Sequence, residues 1–303
     1  MTKDNDDFIK CLHSDANLVE QFINNEIEDM RCVPERLKIA IRYATLGGGK
    51  RFRPFLAFES AVMLGADRKS ILPLAVALEC VHCYSLVHDD LPAMDNARLR
   101  RGRPTVWAAF DEWTAILCGD ALLTLAFELL ARQAQSNNAE LYSKLSLELS
   151  RASGAAGMVG GQCLDLESDK LGIPKTLDAP YIQRMQVMKT GALVSFACEA
   201  GAILAGASEK DCNTMHKFGY CIGFAFQIAD DLLDIDGTPE ELGKATGKDA
   251  SAGKATLVKI LGKENARKTL DENKDEALSL LKPYGTQARM LREATHFITA
   301  RKN

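Results

Sequence analysis

The sequence predicts an all-α protein in which central helices are surrounded by others. Three observations carry this prediction. Apolar residues recur at three- and four-residue spacing along most of the chain, good helix formers fill these segments, and no segment shows sustained alternation with β-branched enrichment. Several long segments are apolar over more than one face, as expected for central helices. We therefore expect one domain, residues 1–303, formed by a bundle of about ten or more helices.

Each predicted element follows from the same periodicity and from the breaks between segments. The predicted helices are Leu18 to Ile27, Leu37 to Leu46, Phe55 to Leu64, Leu74 to Asp90, Ala115 to Gln133, Leu141 to Val159, Tyr181 to Leu204, Asp211 to Asp234, Ala266 to Leu281 and Thr286 to Arg301. The predicted loops, rich in Gly, Pro or charge, are Gly47 to Gly49, Gly65 to Asp67, Gly102 to Pro104, Lys170 to Asp178 and Gly237 to Gly253.

Composition limits the classes of partner. A net charge of -4 and a pI near 5.8 give no overall attraction to nucleic acid or to an anionic membrane. The acidic start lacks the basic-then-apolar pattern of a signal peptide. The most apolar stretch, Thr114 to Ala131, contains Asp120 and Glu128, so we expect no membrane span. The sequence therefore predicts a cytoplasmic protein with no nucleic-acid partner.

The nine cysteines are odd in number and scattered, which indicates reduced and mostly buried thiols. Cys80 and Cys83 form a C-x-x-C pair, which raises zinc binding or redox chemistry as an alternative. No second pair stands at metal-ligand spacing, and the pair lies inside a helical pattern, so the buried-thiol interpretation is favoured.

Two aspartate-rich segments are the most informative feature. The first runs from Asp89 to Asp95 and the second from Asp230 to Asp234, each at the end of a long apolar segment. Adjacent carboxylates repel each other and are costly to desolvate, so two such segments favour a shared cation. Oxygen ligands suit hard ions, and Mg2+ commonly binds through a few carboxylates together with substrate phosphates. The sequence therefore predicts metal-assisted chemistry on a diphosphate.

The surroundings of each aspartate segment constrain its geometry. Pro92 should end the helix that carries Asp89 and Asp90, which places both carboxylates near a helix C-terminus. The helix dipole disfavours anions there, and bound cations would offset that penalty. Asp230 and Asp234 are four residues apart and share one helical face, where they could bind a cation together. For either segment alone, a solvated helix end is the alternative.

Basic residues that could bind a diphosphate are clustered. Gly47 to Pro54 combines glycines with three cationic side chains and departs from the Walker P-loop pattern. Arg98 to Arg103 contains four arginines, which suit bidentate phosphate binding. His82 precedes Asp89 on the same helix, where a phosphate contact competes with a core role. Lys244 and Lys254 lie in the glycine-rich segment after the second aspartate segment, as phosphate-binding side chains should.

Together these motifs resemble the trans-isoprenyl diphosphate synthase family, and within it the bacterial farnesyl diphosphate synthases. The similarity extends from Gly48 to Thr256. It is carried by Gly48 to Pro54, Asp89 to Asp95 in the bacterial form with two extra residues, Arg100 to Gly102, Gly161 to Asp165, Lys189-Thr190 and Phe226 to Asp234. Asn96 departs from the acidic run that bacterial relatives usually continue, and it leaves Asp89 and Asp95 in place.

The resemblance implies an isoprenoid-synthase fold, a homodimer, a site in a central helical cavity and three Mg2+ ions bound by Asp89, Asp95 and Asp230. The implied catalytic set is Asp89, Asp90, Asp95, Asp230, Asp231, Asp234, Arg100 and Lys189. The implied contacts to the allylic diphosphate are Arg100, Lys189, Thr190, Gln227, Lys244 and Lys254. The implied contacts to isopentenyl diphosphate are Lys50, Arg53, His82 and Arg101.

The implied reaction is a head-to-tail condensation of isopentenyl diphosphate with dimethylallyl and geranyl diphosphate, by ionisation, condensation and elimination, to give (2E,6E)-farnesyl diphosphate. The released diphosphate would accept the final proton, which fits the lack of an obvious general base. Product length would be set by Tyr84, with the smaller Ser85 beside it, because both lie about one turn before Asp89. On periodicity alone, Tyr84 would be an ordinary core residue.

Three other functions remain open. A geranylgeranyl diphosphate synthase would share every motif and differ only in the depth of its cavity. A terpene cyclase would not need the second diphosphate site that Lys50, Arg53 and Arg101 form. A non-catalytic partner subunit would be expected to lack the aspartate segments, and this chain has both.

Overall fold

The computed structural model describes residues 3–136, 138–236 and 256–300. Across these three ranges the chain is helical apart from loops and one short antiparallel hairpin. The all-α fold class is therefore confirmed. Contacts divide the chain into two compact units, which are described separately below; the single domain stays a prediction.

The first unit comprises Met1–Phe58 and Ala66–Leu147, and the second comprises Glu59–Gly65 and Glu148–Asn303. The elements that begin in the first unit are α1 (Lys3–Asp29), α2 (Glu35–Thr45), α3 (Phe52–Met63), α4 (Arg68–Asp89), β1 (Leu99–Arg100), β2 (Arg103–Pro104), α5 (Val106–Ala109), α6 (Glu112–Ser136) and α7 (Ala139–Ser153). Helix α4 packs along α6, and α1 and α2 pack against α4. Leu74, Leu78 and Leu122 are fully buried in this unit, as the apolar periodicity of their helices requires.

The elements of the second unit are α8 (Met158–Leu166), the π-helix π1 (Glu167–Leu171), α9 (Ala179–Gln186), the π-helix π2 (Val187–Gly191), α10 (Ala192–Leu204), α11 (Glu209–Asp236), α12 (Leu257–Leu261), α13 (Lys263–Leu280), a 3-10 helix (Lys282–Ala288) and α14 (Arg289–Thr299). Helix α11 is central because α10, α13 and α14 all pack against it. A Cβ on Gly219 would lie 2.5 Å from the Ser195 Cα atom, so this glycine lets α11 approach α10 closely.

The structure corrects two predicted segments. The single helix Leu141 to Val159 is wrong, because α7 ends at Ser153 and α8 begins at Met158. Gly154 and Gly157 lie at this break, where periodicity alone gave no signal. The predicted helix Tyr181 to Leu204 contains π2, which widens the helix by one residue per turn in its middle.

Three helical stretches in the described residues are long and apolar enough to cross a membrane by length and composition: Arg68–Asp89, Glu112–Gln135 and Ala179–Leu204. Length and composition alone therefore do not support the expectation of no membrane span, which stays a prediction. The most apolar windows of these stretches are 72%, 50% and 61% buried inside the protein. Burial in the core accounts for the high apolar content of these helices. A cytoplasmic location stays a prediction.

None of the nine cysteines forms a disulfide, and six of them are buried. Cys80 and Cys83 lie inside α4, where burial raises the pKa of both thiols. A thiol that is held protonated is neither a good metal ligand nor a nucleophile. The structure therefore supports the interpretation of this C-x-x-C pair as core packing.

Candidate active site

The first aspartate segment folds back on the C-terminal end of α4. Helix α4 ends at Asp89, as Pro92 predicts, and the Asp95 amide donates to the Asp89 carbonyl oxygen at 2.9 Å. Asp95 is exposed and Asp89 is half-buried. The turn therefore keeps both carboxylates at the solvent-accessible end of the helix, where an incoming cation can reach them.

Asp90 has a different environment from its two neighbours. It is 3% exposed, and the Arg100 guanidinium donates to both of its oxygens, with Nη2 2.8 Å from Oδ1 and Nε 2.9 Å from Oδ2. Burial raises the pKa of the Asp90 carboxyl, and the Arg100 contacts oppose that shift. Asp90 thus stabilises the aspartate segment through a bidentate ion pair with Arg100.

The arginines after this segment lie on a hairpin. Strands β1 and β2 pair in antiparallel register, and the two residues between them, Arg101 and Gly102, have φ angles of 54° and 74°. Positive φ at both central residues is the geometry of a tight type I′ turn. The Arg98 guanidinium lies over the Trp107 ring at 5.1 Å, so this arginine has a partner other than the predicted diphosphate.

The glycine loop before α3 approaches this hairpin closely. The Arg101 guanidinium donates to the Gly48 carbonyl oxygen, and a Cβ on Gly49 would overlap the Arg101 guanidinium. Gly48 and Gly49 have φ angles of 82° and 138°, which L side chains rarely adopt. The glycines therefore serve a close contact with Arg101, while Lys50 beside them is exposed.

Arg51 does not belong to the solvent-facing cations of this loop. It is 3% exposed, and it bonds to Glu79 at 2.6 Å and to Glu20 at 2.9 Å. Burial alone would lower the pKa of the guanidinium, but Glu79 and Glu20 raise it above its ordinary range. Arg51 therefore holds the glycine loop in place through its buried contacts with Glu79 and Glu20. Its φ angle of 46° lies in the strained left-handed region.

His82 lies among these cations. Burial lowers the pKa of its imidazole, and the positive charges of Arg53, Arg101 and Arg100 lower it further. The ring is therefore neutral at physiological pH and can donate or accept a hydrogen bond. A solvent-open cleft, lined in part by Arg100, Arg101 and Asp90, lies in the same unit. This arrangement suits a phosphate-bearing ligand.

The predicted chain-length residues lie directly beneath the first aspartate segment. Tyr84 is 6% exposed, and its ring meets the His88 ring edge-to-face at a centroid distance of 5.8 Å. Burial raises the pKa of Tyr84 to about 12, with a further contribution from Asp89. His88 in turn lies within 3.0 Å of the Ile116 carbonyl oxygen on α6. A Cβ on Gly119 would overlap the His88 ring, so the missing side chain makes room for it.

The second aspartate segment lies near the C-terminal end of α11. Asp230 and Asp234 are half-buried on one face. Asp231 is 4% exposed and points inward, where Gln186 donates to Oδ2 at 2.8 Å and Gln227 donates to Oδ1 at 3.0 Å. Its assignment to the catalytic set is untested, and its two oxygens already accept amide hydrogens.

Lys189 and Thr190 lie on π2 in the same unit. The Lys189 ammonium pairs with Asp165 at 2.7 Å, and the Thr190 hydroxyl donates to the Gln227 carbonyl oxygen at 3.2 Å. Three residues assigned to the allylic site, Lys189, Thr190 and Gln227, are thus close in the second unit. Lys244 and Lys254 lie outside the described residues.

The donor groups fit Mg2+. All candidate ligands are carboxylate oxygens, which this ion prefers. Within the described residues, Asp89, Asp90 and Asp95 do not close into one compact cluster, because Asp90 is turned toward Arg100. An open arrangement is typical of Mg2+, which keeps waters and binds substrate phosphates. That Asp89, Asp95 and Asp230 bind the same three ions stays a prediction.

Sequence reasoning missed several residues of these networks. Glu79 is a carboxylate inside an apolar helix, and that anomaly was the available signal for its partner Arg51. Gln186 and Gly119 carried no signal, because their roles depend on contacts with residues 45 and 31 positions away, Asp231 and His88.

Comparison with known proteins gives a consistent result. The Polyprenyl synthetase family model matches residues 34–295. The farnesyl diphosphate synthase of Escherichia coli (strain K12) is 44% identical over 251 residues, covering 82% of each protein. The geranylgeranyl diphosphate synthase of Cyanophora paradoxa is 40% identical over 299 residues, covering 99% of this chain and 98% of the relative.

A solved structure is also similar over nearly the whole chain. The geranyltransferase from Helicobacter pylori, complexed with magnesium and isoprenyl diphosphate, has a TM-score of 0.82 and 30% identity, and the match covers 99% of this chain and 98% of that one. Because the family match spans most of the sequence and includes both aspartate segments, this chain belongs to the polyprenyl synthetase family, whose members are Mg2+-dependent prenyltransferases.

Proposed function

We propose that the protein condenses isopentenyl diphosphate with dimethylallyl diphosphate and then with geranyl diphosphate, and releases (2E,6E)-farnesyl diphosphate. The observation that carries the C15 product is the Tyr84 ring, buried beneath Asp89 and held by His88. Five residues separate Tyr84 from Asp89, an axial rise of about 7.5 Å on a helix. A tail growing down α4 from the diphosphate would meet this ring after a few isoprene units.

Isopentenyl diphosphate is proposed to bind beside the glycine loop. Lys50 and Arg53 on the loop, Arg101 on the hairpin and His82 on α4 would contact its diphosphate. The arginines that lower the pKa of His82 would attract the negative charge of the diphosphate. The neutral imidazole would add a hydrogen bond to the same group. Arg51 keeps the loop in place through Glu79 and Glu20.

The allylic diphosphate is proposed to bind Mg2+ held by Asp89, Asp95 and Asp230, with Arg100, Lys189, Thr190, Gln227, Lys244 and Lys254 in contact. When bound, Mg2+ supplies charge neutralisation for the departing diphosphate. Arg100 and Lys189 add positive charge to the same leaving group. Apolar surroundings exclude water from the allylic cation, which then alkylates the double bond of isopentenyl diphosphate. The departing diphosphate accepts the proton that is lost.

A homodimer is part of the proposal. Trp113, Ile116 and Leu117 on α6 are 57%, 44% and 48% exposed, and such an apolar stripe is typical of a subunit interface. A Leu117→Asp variant should shift sedimentation toward the monomer. A cytoplasmic location and the lack of a nucleic-acid partner rest on composition alone.

The decisive experiment incubates the purified protein with Mg2+, isopentenyl diphosphate and dimethylallyl diphosphate, and then identifies the dephosphorylated products by chromatography. We expect a C15 alcohol as the main product. A C20 main product would support a geranylgeranyl diphosphate synthase, which the relative from Cyanophora paradoxa keeps as the second candidate. Hydrocarbon formed from an allylic diphosphate without isopentenyl diphosphate would indicate a terpene cyclase. No turnover with either would indicate a non-catalytic partner subunit.

A further inference from the structure

We infer that Asp231 is a positioning residue, which acts through Gln227 to fix the direction in which the Thr190 hydroxyl points. The inference rests on the proposed function, in which Thr190 contacts the allylic substrate. It assigns Asp231 a role different from that of a magnesium ligand. All the residues involved lie in the second unit, on π2 and α11 and at the end of α9.

The first step is the orientation of two amides. Asp231 is 4% exposed and accepts from Gln186 at 2.8 Å and from Gln227 at 3.0 Å. Both glutamines donate from Nε2, so each turns its NH2 group toward the Asp231 carboxylate. The side-chain carbonyl oxygen of Gln227 therefore points away from Asp231.

The second step is the hydroxyl. The Gln227 carbonyl oxygen lies 3.2 Å from the Thr190 Oγ1 atom. Because a carbonyl oxygen can only accept, Thr190 must donate its one hydroxyl hydrogen to it. The remaining directions around the Thr190 oxygen carry lone pairs. A lone pair stabilises the positive charge that develops on an allylic carbon, whereas an O–H dipole pointing the other way would oppose it.

The third step is the rigidity of the backbone. A Cβ on Gly223 of α11 would lie 3.1 Å from the Gly191 Cα atom of π2, and a Cβ on Gly161 of α8 would overlap the Lys189 backbone. These two glycines thus let π2 lie directly against its neighbours. This contact holds Thr190 and Gln227 in register, as a second layer of groups does around a preorganised site.

The experiment is a double-mutant cycle on the full-length protein. In the isosteric Asp231→Asn variant, the new amide can donate to Gln227, which then turns and donates to Thr190, so that the hydroxyl hydrogen is redirected. With geranyl diphosphate as substrate we expect kcat to fall at least about tenfold, with both KM values and the Mg2+ concentration for half-maximal velocity unchanged.

In a Thr190→Val background the same change should alter kcat less than about twofold, because no hydroxyl remains to be oriented. A Thr190→Ser background should restore the full effect.

Two results would overturn the inference. An increase in the Mg2+ requirement of Asp231→Asn would make Asp231 a metal ligand, and independent effects in the Thr190→Val background would uncouple it from Thr190. If Asp231→Asn fails to fold, Gln227→Met keeps the Asp231–Gln186 contact and removes the acceptor, and it should show the same dependence on the Thr190 hydroxyl. Neutron diffraction from deuterated crystals reads the hydroxyl direction without turnover. A deuteron on Thr190 that points away from Gln227 would refute the inference even in an inactive protein, whereas lack of any prenyl product would refute the proposed function alone.

Discussion

The guanidinium of Arg51 and the carboxylate of Glu79 form a buried ion pair, with an Nη1···Oε1 distance of 2.6 Å and side chains that are 1% and 2% exposed. The pair joins the residue directly before α3 to the middle of α4. It therefore fixes the glycine loop to the helix that carries His82. Arg51 also donates to a second carboxylate, that of Glu20 on α1, and to the Thr45 carbonyl oxygen.

Removal of one partner should destabilise the fold. Arg51→Met leaves the Glu79 carboxylate buried without its cation, and we expect the free energy of unfolding to fall by about 3–5 kcal/mol in urea titrations. The double variant Arg51→Met/Glu79→Leu should recover much of this loss, because no buried charge remains. A double variant no more stable than the single one would show that the pair is not the main source of the effect.

The metal requirement should depend on the aspartates that are proposed as Mg2+ ligands. Asp89→Ala or Asp230→Ala should lower kcat with Mg2+ by about 100-fold or more while circular dichroism stays unchanged, because each removes a proposed ligand. Asp271→Ala on α13, where the side chain is exposed, is the matched control. Near-normal turnover in either test variant would contradict the assignment.

The two diphosphate subsites should separate kinetically. Arg101→Ala and Lys50→Ala should mainly raise the KM for isopentenyl diphosphate, because each loses a charge-assisted phosphate contact. Arg100→Ala should act more on the allylic substrate, and it should also destabilise the protein because it leaves Asp90 buried without its bidentate partner. Arg98→Ala, which only uncovers Trp107, is the control for loss of charge. The reverse pattern of KM changes would exchange the two subsites.

Product length should respond to one side chain. Tyr84→Ala removes the ring beneath Asp89, and we expect C20 or longer products by chromatography after dephosphorylation. Tyr84→Phe keeps the ring and should keep the C15 product. An unchanged C15 product from a folded Tyr84→Ala protein would assign the floor to another residue, such as Val81.

The His216–Glu199 pair should make stability depend on pH. The Nδ1 atom lies 2.8 Å from the Glu199 carboxylate, and this hydrogen bond raises the pKa of His216 above its ordinary value. The contribution is therefore complete below about pH 6.5 and is lost as pH rises through the folded-state pKa. Because the pair is partly exposed, we expect about 0.5 kcal/mol. The stability difference between the wild type and His216→Gln should shrink from pH 6 to pH 9, and the reverse trend would contradict the assignment.

Much of the fold could be predicted because its signals are local. Pro92 predicted the end of α4, and apolar spacing predicted α6 and α11. The break at Gly154 was missed, because the apolar pattern of α7 continues across it. Residue type and spacing say which groups a segment contains and leave open which way each one faces.

The candidate site shows the same limit. Arg51 and Arg53 are two residues apart in one basic run, yet Arg51 is turned inward because Glu20 and Glu79, far away in sequence, are folded against it. Asp230 and Asp231 are adjacent, yet Asp230 is half-buried whereas Asp231 is buried and meets two glutamine amides. Long-range contacts decided both cases, and a single sequence does not record them.

The His88 ring fills the space that a side chain at position 119 would occupy, so it packs into a gap that Gly119 leaves on the surface of α6. If α4 moved along α6 by one residue, about 1.5 Å, the His88 ring would leave this gap and clash with the surface of α6. The contact therefore fixes the position of α4 along α6, and with it the positions of Asp89 and Tyr84 relative to α6. If Tyr84 limits the product as proposed, a larger or smaller residue at this position would shorten or lengthen the product without moving the helix.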